Sequence, residues 1–283
     1  FLLARLSGSP VEIYLSPYAT MEEVEQLKAS MGLDKPLYEQ YWIFIKGAVH
    51  GDFGKSVTFN RPAIEVVAER FPATLQLGAV AIGMSILVAL PAGVLSATRR
   101  GSWLDAASSG FAIFGQAMPI FWFGLLLMLV FAVWLGVLPS GGSGTPRHLI
   151  LPAVAMGLYN TAGIMRITRS SMLDVLDSEY IKLLRAKGLP EWQVIWKHAL
   201  KNAAIPIVTF SAVLFVIMLG GTIITETIFA WPGVGRLVMQ AVQWRDYPVV
   251  QTIVLILATM YILANLLVDI MYVYLNPKIR YQR

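Results

Sequence analysis

Long apolar runs, broken at intervals by short clusters of charge, set the organisation of this chain. Five of them, at 73–97, 106–136, 148–168, 203–225 and 249–275, each supply the ~20 residues needed to cross ~30 Å of hydrocarbon. Backbone groups in lipid must be satisfied within their own segment, so these runs predict helices. The period-two alternation of a membrane β-barrel is absent. The pattern therefore predicts an all-α polytopic helical membrane protein with five complete transmembrane helices. The opening Phe1-Leu2-Leu3-Ala4 has no initiator Met and no basic leader, and reads as the tail of an N-terminal helix.

The basic residues give the spans a direction. Arg99 and Arg100 follow the first span. Arg166, Arg169, Lys182, Arg185, Lys187, Lys197 and Lys201 lie between the third and fourth, and Lys278, Arg280 and Arg283 close the chain. With alternating spans all three groups fall on one side, which is then the cytoplasm. The loops 137–147 and 226–248 fall outside with only Arg147, Arg236 and Arg245.

The stretch 7–70 also falls outside and is too long for a plain connector. Thr20 and Glu23 have capping-box spacing, which predicts a helix near 20–31 that Gly32-Leu33-Asp34-Lys35-Pro36 ends. An amphipathic piece near 37–50 carries Tyr38, Tyr41, Trp42 and Phe44, aromatics suited to the membrane–water interface. Arg61-Pro62 opens a further helix over 62–71. Within the spans, Pro91, Pro119, Pro152 and Pro206 are tolerated where neighbours satisfy the freed groups. Gly83, Gly93, Gly115, Gly124 and Gly157 are expected to let helices approach closely.

Composition narrows the chemistry. Hydrophobic residues make up 57% of the 283 and charged residues 14%, against about 45–50% and 25% in soluble domains. The excess apolar surface needs lipid. The net charge of +5 is explained by topology, so no nucleic acid is expected as a partner. With no cysteine, thiol catalysis and cysteine-ligated metals are excluded. His50, His148 and His198 lack metal-ligand spacing, and no dinucleotide fingerprint, P-loop, nucleophile elbow or paired-His motif occurs. No metal, cofactor or enzymatic activity is expected of this chain, and any ATP it depends on is bound by another.

The informative stretch is cytoplasmic, 169–202 and on to Pro206. It reads as two short helices separated by Gly188-Leu189-Pro190, with Gly188 at a helix C′ position and Pro190 in the next first turn. The second helix is expected to set Trp192, Ile195, Trp196 and Leu200 on apolar faces. The loop exceeds a minimal connector, and Ala186, Lys187, Gly188 and Leu189 form a compact knob flanked by charge. It is expected to dock into a groove on a soluble partner.

Arg185-Ala-Lys-Gly188 and His198-Ala-Leu-Lys-Asn202-Ala-Ala-Ile-Pro206 resemble the E-A-A coupling loop of type I ABC importer permeases, in the dipeptide, oligopeptide, glutathione and nickel branch. Gly32-Leu-Asp-Lys-Pro-Leu, Gly51-Asp-Phe-Gly-Lys-Ser, Glu226-Thr-Ile-Phe-Ala-Trp-Pro-Gly-Val-Gly-Arg236, Arg245-Asp-Tyr-Pro248 and Asn276-Pro-Lys-Ile-Arg extend the resemblance over essentially the whole chain. Lys182-Leu183-Leu184 stands where the general motif has Glu-Ala-Ala. The resemblance implies one permease domain over 1–283 in the bacterial or archaeal inner membrane. It implies a second homologous permease subunit, two cytoplasmic ATPase subunits holding ATP and Mg, and an extracytoplasmic solute-binding protein. Glu179, Tyr180, Arg185, Ala186, Lys187, Gly188 and Leu189 are then the ATPase-coupling residues. A peptide or glutathione is the implied cargo, with a nickel chelate or small sugar as alternatives. A stand-alone secondary transporter would instead show paired broken helices in inverted repeats.

A few polar or special residues in the spans remain. Gln116, Pro119, Asn160 and Met218 are candidate pathway residues. Glu226 and Trp231 are candidates for an outer gate. Arg166 either snorkels or faces the cavity mouth, and Asp269 is expected to pair with a nearby Arg.

Overall fold

The computed structural model describes residues 1–2, 11, 20–30 and 32–275. Every regular element among them is helical: α1 Met21–Ser30, α2 Leu37–Val49, α3 Ala63–Thr98, α4 Trp103–Ala117, α5 Ile120–Leu127, α6 Arg147–Leu176, α7 Glu179–Ala186, α8 Leu200–Gly221, α9 Ile223–Ile228, α10 Val234–Gln243 and α11 Tyr247–Leu275. Two π-helical stretches, Met128–Trp134 and Gln193–Ala199, extend α5 and precede α8. Four helical runs are long and apolar enough to span a membrane: Ala63–Thr98, Arg147–Leu176, Gln193–Met218 and Tyr247–Val268. The pair Trp103–Ala117 and Ile120–Trp134 passes the same test only when taken together and is bent by 104°, a fifth span if it crosses as one broken helix and a re-entrant loop if it does not. Residues 3 and 4 of the expected N-terminal helix tail and the Asn276-Pro-Lys-Ile-Arg motif lie outside the described residues, as does the side chain of Asp269.

The bend corrects the expectation of one straight helix over 106–136. Pro119 removes a donor and pushes the residue before it out of the helical region. Met118 accordingly sits at φ −81°, ψ 125°, and α5 restarts from Pro119. The helix expected over 62–71 is no separate element, since α3 runs unbroken through it.

The described residues fall into two compact units. The first draws on Phe1–Thr74 and Pro232–Thr259. Its core is Val66, Val67, Leu237, Val249 and Ile253, all nearly inaccessible. The capping box on α1 forms as expected, Thr20 N–H to Glu23 Oε2 at 2.8 Å and Glu23 N–H to Thr20 Oγ1 at 3.3 Å. Gly32 ends that helix at φ +63°, with the Leu33 N–H on Lys28 O at 2.9 Å. Buried Asp246 accepts from Ser56 Oγ at 2.5 Å and Thr58 N–H at 3.1 Å, joining segments far apart in sequence. On α2, Tyr38, Tyr41 and Trp42 are exposed as an interfacial helix requires.

The second unit draws on Leu75–Trp231 and Met260–Arg283. Helix α6 is its centre, packed by α4, α5 and α8. Its most apolar window is 72% buried within this single chain, against 17–39% for the other continuous spans. Small residues permit that packing. A Cβ on Gly93 would sit 2.6 Å from Thr168 Cβ and 2.8 Å from Met165 O, and one on Gly157 would sit 3.1 Å from Ser85 Oγ. Gly115 and Gly124 have similarly close neighbours, whereas Gly83 faces open space and mediates no contact here.

One polar clasp fixes the start of α4 within this unit. Asp105 accepts from Arg169 through Nε at 2.6 Å and Nη2 at 2.9 Å, from Ser96 Oγ at 2.6 Å, and from the Gly101 N–H at 3.0 Å. Ser102 caps the same helix by accepting from the Asp105 N–H. Three chain segments thus meet on one buried carboxylate, with its lone pairs satisfied.

Candidate functional site

The segment after α6 forms the expected helix–break–helix. Ser178, extended at φ −71°, ψ 151°, starts α7, and its carbonyl accepts from the Ile181 and Lys182 N–H groups. Helix α7 ends as a glycine-terminated turn: Gly188 takes φ +77°, the Gly188 N–H bonds Arg185 O at 2.9 Å, and the Leu189 N–H bonds Leu184 O at 3.4 Å. Pro190 then opens the next helix, its carbonyl accepting from the Gln193 and Val194 N–H groups.

One face of this pair is anchored. Ile181, Val194 and Ala199 are fully buried against Met172 and Ile207, with Leu184, Leu189 and Ile195 packed beside them. The other face is open. Glu179, Tyr180, Arg185, Ala186, Lys187 and Gly188 are exposed, and Leu189 is half-buried. A Cβ built on Gly188 meets nothing within 4 Å, so the glycine is required by its backbone conformation and not by crowding. The knob therefore stands free on a base tied into the bundle.

Side chains hold the pair in shape. The Arg185 guanidinium donates to both Glu191 oxygens, at 2.7 and 3.2 Å. Those bonds hold the Glu191 carboxyl below its usual range and raise Arg185 further. Lys182 pairs with Glu179 at 2.7 Å, and the Tyr180 hydroxyl lies 3.1 Å from His198 Nδ1.

Trp192 and Trp196 depart from expectation. Ile195 and Leu200 pack on the core, but both tryptophans are exposed. The chain winds as a π-helix over Gln193–Ala199, so Val194 and Ala199, five residues apart, share the inward face. An α-helical period cannot show that.

A second feature is a cavity of about 420 Å³ between α4 and α6, lined by Ser108, Ser109, Gln116, Met165, Arg166 and Ser170 among others. Gln116 is thus on a cavity wall, and Arg166 Nη1 donates to its Oε1 at 3.3 Å. Pro119 borders a separate, shallower cavity of about 430 Å³ with Met118 and Trp122. Asn160 and Met218 are buried against each other, and Glu226 and Trp231 are buried as well. None of these four lines a cavity described here.

Sequence reasoning missed the Asp105–Arg169–Ser96 clasp. Only its local part was readable: Ser102 followed three residues later by Asp105, immediately before an apolar run, is a helix-start motif, whereas nothing in the sequence pairs Asp105 with Arg169.

Comparison with known proteins agrees with this architecture. Residues 89–281 match the family described as binding-protein-dependent transport system inner membrane component, and residues 1–78 match the N-terminal component of the same system. The glutathione transport system permease protein GsiC of Escherichia coli K12 is 41% identical over 277 residues, covering 98% of this chain and 90% of that protein. GsiC of Shigella flexneri serotype 5b is similar to the same extent. Among solved structures, an inward-facing MetNI methionine ABC transporter chain superposes with a TM-score of 0.63 at 19% identity, covering 75% of this chain and 97% of that one. A chain of an amino acid ABC transporter gives 0.59 at 17% identity, covering 74% and 94%. These two likenesses concern the fold.

Proposed function

The chain belongs to the family of binding-protein-dependent transport system inner membrane components, and from that premise we propose that it is the glutathione- or peptide-carrying permease of an ABC importer, driven through the 179–189 knob. It is a multi-pass inner-membrane transport subunit and not an enzyme; ATP is hydrolysed by partner ATPase chains. The observation that carries the reading is the knob itself, eight exposed residues between 179 and 189 on a base buried in the bundle. A lever needs a rigid root and an accessible tip, and this segment has both.

In this reading the stretch 169–202 faces the cytoplasm and 7–70 faces outward. A second permease completes the channel, two ATPases grip one knob each, and an external binding protein delivers cargo. ATP and the loaded binding protein each favour one state of the same two-state element. This chain needs no cofactor of its own for that role; ATP and Mg serve in the ATPases. Gln116 and Pro119 sit where the bent span meets cavities and are assigned to the pathway wall. Asn160, Met218, Glu226 and Trp231, being buried, are assigned to packing that a gating motion would disturb. A stand-alone secondary transporter fits less well, because the described residues hold one bent helix pair and not a matched two.

Uptake of radiolabelled glutathione and of di- and tripeptides by cells carrying or lacking this chain tests the reading. Loss of glutathione or peptide uptake on deletion, restored by the intact chain, is expected. Unchanged uptake of all of them overturns the cargo assignment.

A further inference from the structure

Arg166 and Arg169 lie three residues apart on α6, yet their surroundings differ. Arg169 is neutralised by both oxygens of Asp105. Arg166 is exposed and meets only the neutral Gln116 Oε1, at 3.3 Å, with no carboxylate paired to it among the described residues. An unpaired guanidinium near the end of a membrane span either snorkels to the interface or serves a pathway or a ligand, and here a cavity stands beside it.

The cavity beside it is chemically directed. Ser108 and Ser109 from α4 and Ser170 from α6 bring hydroxyls to its wall, and none of the three is bonded to a protein partner. Ala112, Ile113 and Met165 supply an apolar wall. The cavity lies against α6, the most buried span, which screens it from lipid on that side. Its volume of about 420 Å³ is within the range of small-molecule sites. At 1.5 Å per residue, Arg166 sits about 28 Å along α6 from Arg147, at the end from which the knob segment continues.

We propose that Arg166, with Gln116 and the serine hydroxyls, forms an exit-side subsite for the free carboxylate of the transported peptide. This rests on the cargo class proposed above and places a recognition element within the permease itself. The guanidinium fork matches a carboxylate through two parallel hydrogen bonds. Hydroxyls and the Gln116 amide satisfy the remaining lone pairs, and the apolar wall takes the aliphatic part.

The test uses the assembled transporter in nanodiscs without its binding protein, and equilibrium binding of glutathione and of its diethyl ester, in which both carboxylates are capped. Wild type is expected to bind glutathione saturably and the ester at least about tenfold more weakly, the loss expected from one charge-assisted pair. Arg166→Gln is expected to weaken glutathione by a similar factor and to leave the ester unchanged. Arg166→Lys keeps the charge without the fork, and carries the test if Arg166→Gln does not assemble: intermediate glutathione binding is expected, and wild-type binding overturns the proposal. Equal loss of acid and ester in Arg166→Gln, or no saturable glutathione binding by wild type, also overturns it. An Arg166→Gln effect present with phosphatidylglycerol but absent in pure phosphatidylcholine overturns it in favour of an anionic lipid headgroup. Glutathione uptake by the same wild-type assembly with its binding protein shows whether the cargo assignment falls too, since uptake can persist without this subsite.

Discussion

Arg185 and Glu191 clasp each other across the Gly188 turn, Nη2 to Oε1 at 2.7 Å and Nε to Oε2 at 3.2 Å. The two residues belong to different helices of the knob, so the pair ties the end of α7 to the start of the next helix. With Ile181, Val194 and Ala199 buried beneath, a push on the tip moves the root as one body.

Gly188→Val tests the turn. The site is spacious, so the cost is that of forcing a β-branched residue to φ +77°, about 1–2 kcal/mol or more. That distorts the knob without disturbing the spans. Membrane insertion and level are expected to stay normal while ATP hydrolysis no longer drives uptake. Gly188→Asn, which tolerates the left-handed region better, is expected to recover much of the coupling. Uptake and ATPase rate measured together in proteoliposomes check both.

The clasp also predicts a pH response. Glu191 is held below its ordinary value by Arg185, so the pair's stabilisation is fully present above about pH 4.5 and is lost as pH falls through the depressed value. Both side chains are about half exposed, which limits the effect to ~0.2–1 kcal/mol. Hydrogen exchange of the α7 amides, corrected for intrinsic rates, is expected to show loss of protection only at acid pH. Glu191→Gln is expected to flatten that dependence.

Helix contact at Gly93 makes a sharper stability prediction. A Cβ there collides with Thr168 and with the Met165 carbonyl, a backbone atom that cannot swing aside. Gly93→Ala is expected to destabilise by about 1–3 kcal/mol. Gly83→Ala, facing open space, is expected to be neutral or slightly stabilising. Thermal unfolding of both in one detergent gives the comparison.

These contrasts show what the sequence could and could not reveal. Span positions followed from apolar length, and the capping box at Thr20 and the glycine stop at Gly188 followed from local chemistry that tertiary contacts do not override. Pro119 was visible, but whether a proline kinks or breaks a span depends on what its neighbours satisfy, and here the chain turns through 104°. The exposure of Trp196 accompanies a π-helical winding over Gln193–Ala199 that no α-period reports. The Asp105–Arg169 pair joins residues on two helices, so only the fold brings them together. Gly83 and Gly93 look alike in sequence and differ only in what stands opposite.

Removing one member of that buried pair should cost more than removing both. Asp105→Ala leaves Arg169 uncompensated and Ser96 and the Gly101 N–H without their acceptor, with an expected loss of up to about 3 kcal/mol. Asp105→Ala with Arg169→Met is expected to recover part of that. Additive losses in thermal unfolding would mean the two residues act independently.

The central claim is that the exposed knob is gripped by an ATPase, and the absence of cysteine allows a clean test. Lys187→Cys adds the one thiol within these 283 residues at the tip, to be cross-linked with a short bifunctional reagent in membranes containing the whole assembly. The account predicts a covalent adduct with the ATPase subunit, changed in yield by ATP, and protection of the thiol from impermeant reagents applied outside. A thiol labelled from the outside, or one that never joins the ATPase while the assembly transports normally, contradicts it.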